Sequence, residues 1–80
     1  TFYDVYILQS DSNPERFYSG FTENLDARLV AHNSGQVPHT SKHRPWHIKT
    51  AIAFRDRDKA LGFERYLKTP SGRAFAKKRL

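Results

Sequence analysis

Five side chains in this chain could together cut a phosphodiester bond. Tyr6 and Tyr18 lie in two segments of strand character, Arg28 and His32 stand one turn apart in a helical segment, and Glu64 lies on a later helical segment. Such a cut needs an activated water, stabilisation of charge on the phosphoryl oxygens and help for the leaving oxygen. An arginine can fork onto two phosphate oxygens, and its charge is permanent. A histidine can relay a proton or hydrogen-bond a phosphate. Each residue also has a purely structural use. Strand tyrosines are commonly core residues with a surface hydroxyl, helical arginines snorkel, a histidine suits a helix C-terminus, and Glu64 can pair with Lys68 one turn on. Convergence of the five separates the two uses.

The segments that must position them follow from period and punctuation. Residues 2–10, FYDVYILQS, alternate with Phe2, Asp4, Tyr6 and Leu8 on one face and Tyr3, Val5 and Ile7 on the other. Both faces are largely apolar, which predicts a central strand. Asp11-Ser12-Asn13-Pro14 is a turn signal, and Arg16–Phe21 returns as a second strand in an antiparallel hairpin. On that strand Tyr18 shares a face with Gly20, a residue that permits close approach of a backbone or ligand. Thr22-Glu23-Asn24 supplies helix caps. Leu25, Arg28, Leu29 and His32 then form one helical stripe, stopped at Gly35. A structural stripe would be apolar throughout, and the Arg and His in this one mark a functional conflict.

Residues 35–45 read as a polar loop carrying Lys42, His43 and Arg44. Trp46–Phe54 alternates as a third strand, with Trp46, Ile48, Thr50, Ile52 and Phe54 on a single inward face. Asp56 can cap a second helix whose inner stripe is Ala60, Leu61, Glu64, Leu67 and Lys68. Thr69-Pro70 opens a short basic third helix anchored by Ala74 and Phe75. The resulting fold class is α+β: a three-stranded antiparallel sheet flanked by helices, in the order β-β-α-β-α-α.

At 80 residues and 9.3 kDa the chain is expected to be one domain, 1–80, with a small core. It has no cysteine, which excludes disulfides and thiolate metal sites and is compatible with a cytoplasmic location. No apolar run approaches the ~18 residues of a membrane span, and no signal-peptide pattern is present. The chain opens on Thr1, and that edge carries no functional information. Fourteen Lys and Arg against 8 Asp and Glu give a net charge of +6, with a pI of about 10.0. The excess collects in Lys42–Lys49 and Arg73–Arg79, which favours a polyanionic partner. Lys42 and Arg44 are candidate phosphate contacts. His39, His43 and His47 invite a metal-cluster reading, but no cysteine accompanies them and the loop lies between elements.

In order along the chain, VYIL at 5–8, YSG at 18–20, Leu25, Arg28 and Leu29, HNSG at 32–35, RPW at 44–46 and FERYLK at 63–68 resemble the small stand-alone GIY-YIG nuclease proteins. They are also similar to the N-terminal nuclease domain of bacterial excinuclease C. The resemblance covers nearly the whole chain. It implies an endonuclease acting on DNA, with DNA repair as a setting and Mg²⁺ or Mn²⁺ as cofactor. The tyrosine of GIY falls on Tyr6, the first tyrosine of YIG on Tyr18, the family arginine on Arg28, the His-or-Tyr position on His32 and the metal-binding glutamate on Glu64. Tyr18 is then the expected general base, Arg28 the phosphate clamp and Glu64 the sole metal ligand, with Tyr6 orienting water or phosphate. The chain departs from the family at Asp4, where GIY has Gly, and at Ser19, where YIG has Ile. No Asn follows Asn33, and the separate DNA-binding domain of larger members is not found in these residues.

Two other functions fit the same composition. A basic nucleic-acid-binding module with weak or lost catalysis would bind in a salt-sensitive way without nicking. A small interaction domain would use its charge only for solubility. The expected partner is DNA, with no membrane and a monomer favoured.

Overall fold

The computed structural model describes all residues, 1–80, in the order β1 (Tyr3–Ser10), β2 (Phe17–Thr22), α1 (Leu25–Asn33), α2 (Pro38–Ser41), β3 (Trp46–Phe54), α3 (Arg57–Leu67) and α4 (Pro70–Arg79). The three strands form one antiparallel sheet ordered β2-β1-β3. β1 is central because both its faces are apolar: Val5, Tyr6, Ile7 and Leu8 are all buried. Val5 and Ile7 pack on Ala60 and Leu67 of α3, with Ala76 and Leu80 at the α4 end. Tyr6 and Leu8 pack on Trp46, Tyr18, Leu25 and Leu29, the last two from α1. The sheet is thus covered by α1 on one face and by α3 and α4 on the other. No helix is long and apolar enough to cross a membrane.

Local signals start the helices where expected. The side chains of Asn24, Asp56 and Thr69 accept from the backbone N–H of Ala27, Lys59 and Gly72, each satisfying one orphan donor of a first turn. Gly35, at φ +83°, ends the α1 region in the left-handed conformation that glycine adopts without strain.

Four expectations need correction. Trp46, Ile48, Thr50, Ile52 and Phe54 do not share one face. Ile7 pairs with Thr50 but Leu8 with Ile48, so Lys49 is an extra, bulged residue. The bulge inverts the alternation: Ile52 and Phe54 sit with the α3 face, whereas Trp46 and Ile48 join Tyr6 and Leu8 on the α1 face. The loop at 35–45 contains a one-turn helix, α2, entered through Pro38 at its first position. Phe63, not Lys68, completes the inner stripe of α3, and Lys68 is exposed. On α4 the buried contacts come from Ala76 and Leu80. Ala74 is exposed, and Phe75 lies against the rings of Phe63 and Tyr66 with centroids 6.4 and 6.0 Å away.

Candidate active site

The strand pairing brings the two tyrosines together. Tyr6 faces Gly20 across the β1–β2 ladder, and Tyr18 faces Leu8 one step along the same face. The missing side chain at Gly20 matters here, because a Cβ there would lie 2.6 Å from Tyr6 Cζ. The Tyr6 ring crosses β2 in that space, with the Tyr18 ring 6.4 Å away. From α1, Arg28 and His32 reach the same place because four residues make about one helical turn. The His32 ring is 6.0 Å from that of Tyr6 and 4.9 Å from that of Tyr18.

His32 is fully buried and bonded at both nitrogens. Nδ1 is 2.8 Å from Thr40 Oγ1, and Nε2 is 3.1 Å from the Tyr6 hydroxyl. Thr40 donates its hydroxyl hydrogen to the carbonyl of Val37. It therefore accepts from His32 Nδ1–H, which leaves Nε2 as an acceptor, and Tyr6 donates to it. The chain Tyr6–His32–Thr40–Val37 thus has a single direction. Burial pushes the His32 pKa down, and the neighbouring Arg28 charge pushes it the same way. The imidazole is neutral in the role the network assigns it. A cationic histidine answering the helix dipole does not fit this position.

Arg28 lies beside both phenols. Burial raises the Tyr6 pKa, and Arg28 opposes that rise through contact and charge. Arg28 is itself held more firmly protonated, first by its contact with Tyr6, while desolvation works against it. Tyr6 is therefore a neutral donor tied to His32. The half-buried Tyr18 borders both open cavities of the surface.

Glu64 comes from α3, close enough for its charge to act on Tyr6. Its side chain is 18% exposed, and its carboxylate lies 3.3 Å from Lys68 Nζ. No three His, Asp or Glu side chains converge anywhere in the chain, so the site offers a divalent ion one carboxylate. Mg²⁺ is commonly held by one or two carboxylates, with waters and substrate phosphates completing its octahedron. Glu64 fits that pattern as a ligand that needs substrate to complete the shell.

The structure brings Tyr6, Tyr18, Arg28, His32 and Glu64 into one neighbourhood. Lys42 and Arg44 are exposed but line neither cavity. Arg44 donates through Nε to the carbonyl of Ser41, 2.8 Å away, and so braces the end of α2. His39, His43 and His47 do not form a metal cluster: His47 pairs with Asp11 at 2.6 Å, while His39 and His43 border the smaller cavity, His43 edge-on to Trp46.

Sequence reasoning missed three residues that build the site. Thr40 sets the His32 tautomer from α2, and nothing local in the sequence points to it. Asn33, read as part of a helix stop, bonds both backbone groups of Trp46 at 2.6 and 3.0 Å and pins β3 to the end of α1. Lys68 donates to the Ser19 carbonyl on the edge strand β2 at 3.1 Å and places its ammonium 5.3 Å from the Tyr18 ring centroid. Its spacing from Glu64 was the available signal.

Comparison with known proteins identifies the family and the fold. Residues 2–79 match the family described as GIY-YIG catalytic domain. A structure-specific endonuclease subunit SLX1 from Meyerozyma guilliermondii is 41% identical over 76 residues, covering 86% of this chain and 25% of the relative. Its counterpart from Debaryomyces hansenii is 38% identical over 76 residues, covering 86% and 22%. The chain therefore spans about a quarter of the length of these two relatives. A UPF0213 protein from Lacticaseibacillus paracasei is 33% identical over 69 residues, covering 85% of this chain and 74% of the relative. The solution structure of a UPF0213 protein from Bacillus halodurans superposes with a TM-score of 0.58 at 23% identity, covering 98% of this chain and 84% of that one, and shares the fold. With the match spanning nearly every residue, the chain belongs to the GIY-YIG family of nuclease-type catalytic domains.

Proposed function

We propose that this domain is a divalent-metal-dependent endonuclease that hydrolyses phosphodiester bonds in DNA. The observation that carries the reading is the convergence of two strand tyrosines, a helical arginine and a neutral buried histidine, with one mostly buried carboxylate whose charge reaches Tyr6. Arg28 clamps the scissile phosphate through two oxygens. Tyr18, the phenol facing the open cavities, takes the proton from the attacking water. Tyr6, its proton committed to His32, turns its oxygen lone pairs toward Arg28 and holds the guanidinium in place. Glu64 holds Mg²⁺ or Mn²⁺, which when bound supplies Lewis-acid stabilisation of phosphate charge. DNA of defined structure is the substrate favoured by the relatives described as structure-specific endonuclease subunits. A lone copy of this domain has one such site and nicks one strand per encounter.

The test is cleavage of labelled single-stranded, duplex and branched DNA with Mg²⁺, Mn²⁺ or EDTA. Tyr18→Phe and Glu64→Ala are each expected to lower metal-dependent cutting by about 10²-fold or more while leaving circular dichroism unchanged. Cutting that survives both substitutions would overturn the assignment.

A second reading rests on Lys68, which already occupies the one available carboxylate. In it the domain binds DNA and barely cuts. It predicts salt-sensitive DNA retention with no nicks under any metal.

A further inference from the structure

The larger cavity, about 910 Å³, lies beyond Tyr18 on the α4 side of the sheet. Arg16 just before β2, Phe17 at its start, Lys49 from the β3 bulge, Lys68 at the C-cap of α3, and Arg73 and Lys77 from α4 line it. Five of these six are cations, against a single lining carboxylate, Glu15. The chain has two salt bridges, His47–Asp11 and Lys68–Glu64. Arg16, Lys49, Arg73 and Lys77 therefore gather around one groove with no ion-pair partner. Like charges assembled this way disfavour the compact state, so their placement answers something outside the chain.

Phe17 gives the groove a second chemistry. It is 52% exposed at the end of an edge strand, with Lys49 Nζ 5.9 Å from its ring centroid. An exposed ring among phosphate-binding cations is a stacking platform for a nucleic-acid base, and every base offers a face to it. Bases inside a duplex are already stacked on their neighbours, so the platform selects an unpaired strand. Arg16, Phe17, Tyr18 and Lys68 also border the smaller cavity, which continues to His39, His43 and Trp46. The basic groove and the candidate site thus join at Tyr18.

We propose that the groove between the start of β2 and α4 holds a single-stranded DNA segment leading to Tyr18, with Phe17 stacking on a base and Lys49, Arg73 and Lys77 holding phosphates. The direction toward Tyr18 rests on the nuclease reading above; the single-strand site itself does not. Substrates of this domain would accordingly carry an unpaired arm next to the cut.

Binding in EDTA tests the groove without catalysis. Fluorescence anisotropy would compare a labelled oligothymidylate and a blunt duplex on the wild type, Phe17→Ala, Arg73→Gln/Lys77→Gln, and Lys78→Gln/Arg79→Gln. The last pair removes equal charge from the same helix outside the groove. Phe17→Ala is expected to weaken single-strand binding by about 5- to 100-fold and duplex binding by less than ~2-fold. Arg73→Gln/Lys77→Gln should weaken single-strand binding and reduce its salt slope by ~0.7 for each phosphate no longer neutralised, with a smaller effect from the control pair. Equal losses in the two double variants, equal losses for single strand and duplex, or no single-strand affinity in the wild type would each overturn the groove. Loss of all cutting with every metal would overturn the nuclease reading and leave this result standing.

Discussion

Among single residues, the site depends most on one histidine held in its neutral form. His32 is buried, donates to Thr40 and accepts from Tyr6. Protonating it would put a second donor against the Tyr6 hydroxyl and place a charge beside Arg28. Its folded pKa lies below the ordinary value of 6.5, so the unfolded chain binds the proton first as pH falls. Stability from this group is complete above 6.5 and is lost as pH falls from there through the depressed folded value, below which the loss levels off. Thermal melts across that range should show the decline in the wild type, and His32→Gln should flatten it. A decline that His32→Gln leaves unaltered would assign the pH dependence to other groups. Activity should fall over the same window, because Tyr6 loses its acceptor.

Among the secondary-structure elements, β3 carries the feature with the widest effect, a bulge that decides which face each half of the strand serves. From Thr50 onward the strand faces α3 and α4; before Lys49 it supplies Trp46 and Ile48 to the α1 face. Trp46 then closes the α1 side through three bonds: Nε1 to the Thr40 carbonyl, and its backbone N–H and C=O to Asn33. Deleting Lys49 removes the extra residue and leaves Ile48 opposite Leu8 and Thr50 opposite Ile7, so Trp46 and Ile48 keep the α1 face. Urea unfolding of the deletion variant should therefore give a stability within ~1 kcal/mol of wild type. A loss on the order of 3–5 kcal/mol, comparable to losing a buried tryptophan, would show that Trp46 needs the bulge to reach the α1 face. Helix starts were legible because Asn24, Asp56 and Thr69 act within three residues of themselves. The bulge was not, since an extra residue leaves an alternating pattern intact and is detected only against the partner strand.

Across the molecule, site and core are the same material. Only 12 of 80 residues are buried, and the fully buried side chains include Tyr6, His32 and Thr40 as well as Leu8 and Val5. A chain this small cannot set its site on a separate scaffold, so changes to the Tyr6–His32–Thr40 chain will lower stability and activity together. The net charge of +6 adds self-repulsion that so small a core must offset. Screening at moderate salt should therefore raise the melting temperature, by up to a few degrees for a gain below ~1 kcal/mol. The same salt should weaken DNA binding. A melting temperature that falls with added salt would mean that attractive pairs dominate the surface.

Residue order alone was enough for the fold class, the helix caps, the central position of β1 and the five candidate site residues. These rest on period, on caps and on the ordered segments from VYIL to FERYLK, all of which act locally or through a resemblance. It took the packed fold to make His32 a buried neutral acceptor, because its partner Thr40 lies on a one-turn helix without a local signature. Packing also gathered the uncompensated cations at Arg16, Lys49, Arg73 and Lys77 rather than at Lys42 and Arg44. Those four come from three separate segments, only Arg73 and Lys77 being one turn apart on α4, and charge spacing along a chain does not reveal which charges a bulged strand and a packed helix will bring to one groove.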